Sequence, residues 1–88
     1  MNRLDPYYAD DTHGVLFDVC VDGTLIQAHV GCAVLSRCYG VPIRDTDWVA
    51  VYRAHQHEID QAVAAHVRVH RPETVILGVE ELRLRAGK

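Results

Sequence analysis

Asp22-Gly23 lies between two runs of alternating apolar and polar residues, and that arrangement leaves this part of the chain little choice. The first run is Gly14-Val15-Leu16-Phe17-Asp18-Val19-Cys20-Val21, and the second is Thr24-Leu25-Ile26-Gln27-Ala28-His29-Val30. The favoured two-residue hairpin loop needs positive φ at both central positions, which Asp-Gly tolerates well. Such a loop sets the register, with Val21 opposite Thr24, Val19 opposite Ile26, Phe17 opposite Ala28 and Val15 opposite Val30. Val15, Phe17, Val19, Ile26, Ala28 and Val30 then share one face, and Leu16, Asp18, Cys20, Leu25, Gln27 and His29 share the other. A slip of one residue would mix the two sets, so turn chemistry and hydropathy pattern specify the same hairpin.

The next signals are helical. Gly31 breaks the strand, and Cys32 to Tyr39 allows about two turns before Gly40 and Pro42 stop it, with Val34, Leu35 and Cys38 on the buried side. Asp45-Thr46-Asp47 offers an N-cap and early negative charge for a second helix. From Trp48 the chain runs without Gly or Pro to Arg71, ahead of Pro72. At about 100° per residue, Trp48, Tyr52, Ile59, Val63 and His66 form one apolar stripe. Thr74 to Val79 is short, apolar and β-branched, and reads as an interior strand; the charged residues after it continue that strand or form a tail. The predicted fold is α+β in ββααβ order, a small mainly antiparallel sheet covered on one face by a short and a long helix. Residues 1–13 read as an N-terminal arm, 14–82 as a single domain and 83–88 as a charged tail.

The element order, Val15-Leu16-Phe17, the Val21-Asp22-Gly23 turn, the stretch from Tyr52-Arg53-Ala54-His55 to Ile59, and Val75-Ile76-Leu77 together resemble a small bacterial family, domain of unknown function (DUF) 1488. The resemblance covers roughly residues 13–82. Gly31-Cys32 stands where the family would place a Ser-containing helix cap. The resemblance implies a compact α+β domain and brings no activity and no catalytic residues with it.

Composition narrows the function classes. Of the 88 residues, 49% are hydrophobic and 24% charged, which suits a globular chain rather than a disordered one. No apolar run approaches the roughly 20 residues of a membrane-spanning helix, and the N-terminus has no apolar signal segment. A net charge of −3 provides no overall basic field for nucleic acid. Arg83, Arg85 and Lys88, with Arg68 and Arg71 near, leave weak nucleic-acid binding as a third reading, weighed against a solvated basic end. Cys20, Cys32 and Cys38 are odd in number and lack C-x-x-C spacing, so they read as free thiols of a reduced cytoplasm.

Six histidines are the one compositional oddity. His66 and His70 are four apart and face one way on a helix, the spacing of two ligands to one metal. No H-E-x-x-H motif accompanies them, and His55 lies about 16 Å from His66 along a helix axis, too far to share the site. Packed or capping histidines are the alternative, and a pH-sensitive interface a further one. No nucleophile elbow, phosphate loop or bound cofactor is expected, and Ser36, the only serine, falls within a helix.

Geometry points to self-association. A straight helix over 46–71 would be a rod of about 38 Å, longer than the roughly 31 Å diameter of a domain this size. Its far turns carry Val63, His66, Val67 and Val69, which would then need a partner. The sheet also has open edges and a second face bearing Leu16, Cys20 and Leu25. The leading expectation is a non-catalytic homodimeric interaction or regulatory module in the cytoplasm, without membrane or nucleic acid. A metal- or small-molecule-binding protein using His66 and His70 is the alternative.

Overall fold

The hairpin takes the register that its turn dictates. In the computed structural model, which describes residues 5–70, 74–80 and 82, Asp22 has φ 50° and Gly23 φ 84°. The elements in chain order are β1 (Tyr7–Ala9), β2 (Gly14–Val21), β3 (Thr24–Gly31), α1 (Cys32–Tyr39), α2 (Trp48–Ala54), α3 (Gln56–His70) and β4 (Thr74–Leu77). β2 and β3 pair antiparallel with Val21 opposite Thr24 and Val15 opposite Val30. Val15, Phe17, Val19, Ile26, Ala28 and Val30 are all buried, and they meet Leu35, Trp48, Tyr52, Ile59 and Val63 from the helices. The C-terminal arginines, the charged tail 83–88 and the Arg71-Pro72 helix stop lie outside the described residues.

The sheet differs from the predicted one in composition and direction. It has four strands in the order β1-β2-β3-β4, with β1 antiparallel to β2 and β4 parallel to β3. It is therefore mixed rather than mainly antiparallel, and a strand precedes the hairpin. The parallel pairing follows from the connection. Three helices carry the chain from the end of β3 back to its start, the crossover that parallel neighbours require. β4 is thus an edge strand, not an interior one. Its alternation is real but hidden in an all-apolar run, with Val75 and Leu77 buried and Ile76 72% exposed. After β4 the backbone turns helical at Val79 and Glu80 instead of prolonging the strand, and Leu82, whose N–H donates to the Gly78 carbonyl, is buried.

The long helix is also divided. It breaks at His55, whose φ of −119° and ψ of 20° leave the helical region. The break falls where the apolar stripe is interrupted: His55-Gln56-His57-Glu58 supplies four polar residues between buried Tyr52 and Ile59. Tyr39 stacks on the His55 ring with centroids 3.6 Å apart and planes 6° from parallel, while its hydroxyl donates to Glu58 at 3.1 Å. The Tyr52 hydroxyl donates to Asp60 at 2.8 Å, so both halves are tied together across the bend. Asp47 caps α2, accepting from the Ala50 N–H at 3.1 Å, as its position before Trp48 leads one to expect. α1 ends at Gly40, whose φ of 66° is the left-handed cap conformation that glycine adopts readily.

The bend removes the overhang. α3 is about 22 Å long at 1.5 Å per residue, well within Cα extents of 36 × 28 × 20 Å. Val63 is buried in the core, His66 and Val67 are half-buried, and Val69 alone of the four is exposed. No helix among the described residues is long and apolar enough to cross a membrane.

Candidate functional site

Strand pleating puts alternate side chains on opposite faces, and the helices cover only one of those faces. On the other, one register row crosses all four strands: Tyr7 opposite Leu16, Leu16 opposite His29, His29 opposite Ile76. Tyr7 is 52% exposed and Ile76 72%, while Leu16 and His29 are half-buried between them. The neighbouring row, Asp18, Gln27 and Thr74, is polar, and the next holds exposed Cys20 and half-buried Leu25. This is a bare face with an apolar bar across it and a polar band beside the bar.

His29 lies across the bar and over Gly14. Its Nε2 is buried and makes no hydrogen bond, a condition shared by no other side-chain polar atom among the described residues. A methyl at Gly14 would press on that nitrogen and stand 2.7 Å from both His29 Cε1 and the Val30 carbonyl. The missing Cβ of Gly14 is therefore what lets the imidazole lie flat on the sheet.

Sequence reasoning found Leu16, Cys20, Leu25 and His29 on this face through the hairpin register. It missed Tyr7 and Ile76. A three-residue strand carries too little pattern to distinguish it from an arm. In Val75-Ile76-Leu77 every residue is apolar, so hydropathy does not say which one points outward.

The histidines divide. His55 is engaged with Tyr39, and His66 and His70 bring their rings together with centroids 4.6 Å apart at 40°. Among the described residues, no third His, Cys, Asp or Glu joins them in a cluster able to hold a metal ion. None of the three cysteines is in a disulfide; Cys20 is exposed, Cys32 buried and Cys38 between. Burial pushes the Cys32 thiol up, partly offset by hydrogen bonds from the Tyr8 hydroxyl and the backbone. Burial, reinforced by the Glu58 carboxylate, also holds the Tyr39 hydroxyl well above the ordinary phenol range. Both groups are kept in their neutral, poorly nucleophilic forms.

A family model described as a protein of unknown function (DUF1488) matches residues 2–77. No curated protein and no solved structure matches the chain.

Proposed function

The chain belongs to the DUF1488 family, and we propose that it works as a non-catalytic interaction module that pairs with a second copy of itself. One observation carries the reading: the Tyr7–Leu16–His29–Ile76 bar spans the full width of a sheet face that nothing among the described residues covers. A two-fold axis lying parallel to the sheet, in the plane between the two copies, sets such a bar against its own copy, which is the geometry of an isologous interface. Two sheets packed this way stand about 10 Å apart, close enough for the bars to interdigitate.

Area sets the class of interface the face can form. With strands about 4.8 Å apart and residues about 3.4 Å along them, the bare face offers roughly 400 Å². A standard interface takes about 800 Å² from each partner. A face this small suits a weak, reversible dimer rather than an obligate one. Neutral Cys32 and Tyr39 support the non-catalytic part of the reading, and three cysteines held outside any disulfide support a reducing, cytoplasmic setting.

Sedimentation equilibrium tests it. The mass rises from 9.9 kDa toward twice that value as concentration goes from micromolar to about millimolar. Ile76→Lys abolishes the rise without lowering the melting temperature, because the side chain it replaces is already in solvent. A strict monomer at millimolar concentration overturns the reading.

The 4.6 Å approach of His66 and His70 favours a second reading, a two-histidine site for a divalent transition metal on the last turns of α3. Nickel or zinc added to untagged protein is expected to shift both imidazole resonances together, and His66→Gln to remove the effect. Independent titration of the two rings, or no shift, excludes it.

A further inference from the structure

The helix-covered side of the sheet ends in a groove beside β1. Two adjoining hollows of about 510 and 430 Å³ share Tyr8, Ile43 and Trp48 as their walls. Each volume falls in the range that takes a small molecule, roughly 300–1,000 Å³. Tyr8 reaches the groove because it is out of phase with Tyr7: its row, through Val15, Val30 and Leu77, faces the helices. Trp48 is buried except at this edge, whereas Tyr8 is 39% exposed and Ile43 58% exposed at the mouth. An apolar body can therefore remove aromatic and aliphatic surface from water here.

Charge selects the kind of body. Asp45 and Asp47 line the first hollow together with the three apolar walls. Thr12, His13 and Cys32 line the far end of the second, and neither lining contains lysine or arginine. Tyrosine and tryptophan rings attract cations through their π-faces, and carboxylates at the same mouth act in the same direction. We infer that this groove binds a small organic cation with apolar substituents, of the alkylammonium class, between Tyr8, Ile43 and Trp48 with its charge toward Asp45 and Asp47. The groove lies on the opposite side of the sheet from the self-pairing face, so the two activities stand or fall separately.

Three isosteric probes read shape and charge apart: choline, the neutral 3,3-dimethylbutan-1-ol and the anionic 3,3-dimethylbutanoate. Each is titrated into the full chain while amide and indole resonances are followed by NMR. Choline is expected to shift the Ile43 amide and the Trp48 indole saturably at millimolar concentration. The neutral probe binds about tenfold more weakly, and the anion more weakly still. Asp45→Asn weakens choline severalfold and leaves the neutral probe unchanged. Asparagine keeps the backbone at φ 57° accessible, so the loop is preserved. Ile43→Ala, at an exposed position, weakens both probes. Equal or tighter binding of the neutral or anionic probe overturns the inference, as does the absence of shifts in the groove at tens of millimolar choline.

Discussion

Gly14 and His29 show how one missing methyl shapes a surface. The imidazole is wide enough to cover Gly14 only because no Cβ stands there, and the cover leaves Nε2 buried without a partner. An alanine would meet both the ring and the Val30 carbonyl, one of which can rotate away while the other belongs to the sheet backbone. Gly14→Ala is therefore expected to destabilise the fold by about 1–3 kcal/mol, the range of overpacked sites. Urea denaturation checks the size. Adding His29→Ala restores part of the loss, since the backbone contact remains; a single variant as stable as the natural chain contradicts the assignment. The two turn positions behave differently under sequence reading. Asp22 and Gly23 carry their positive φ in their identities, whereas the crowding at Gly14 arises from a side chain fifteen positions away.

Among the elements, the hairpin was legible and the helical half was legible in part. Alternation and a two-residue loop are local, so register follows from neighbours alone. Where α2 ends and α3 begins depends on Tyr39, which comes from α1 to stack on His55 and bond Glu58. Absence of Gly and Pro predicts continuity, yet the polar run His55–Glu58 was the readable hint that the stripe lapses there. The Tyr39 contact carries its own pH dependence. Its hydroxyl has a folded-state pKa raised above the ordinary value near 10, by burial first and Glu58 second. The stability it contributes is complete below about pH 10. It is lost as pH rises through the folded value, because the unfolded chain releases that proton first. Tyr39→Phe is expected to make the alkaline fall in melting temperature shallower while costing stability at neutral pH. An unchanged alkaline slope excludes Tyr39 as its source.

At the scale of the molecule, the case for a partner moves from a helix to a sheet. A straight 46–71 helix would have projected beyond the domain, but bending at His55 wraps its apolar stripe around the core and buries Trp48, Tyr52, Ile59 and Val63. Among the described residues, what stays uncovered is the second face of the sheet, widened by β1 and β4 to four strands. The sequence exposed half of that face through the hairpin. The remainder depends on β1 joining β2 and on a crossover that returns β4 parallel to β3, both long-range outcomes that local pattern does not encode. The central claim is that this face, and no other, meets its copy. Isotope-filtered NOEs in a mixture of labelled and unlabelled chains near millimolar concentration test it most directly. The expected cross-peaks join Tyr7, Leu16, His29 and Ile76 of one copy to the same residues of the other. Intermolecular contacts confined to α3 around Val69, or none at all, would contradict it.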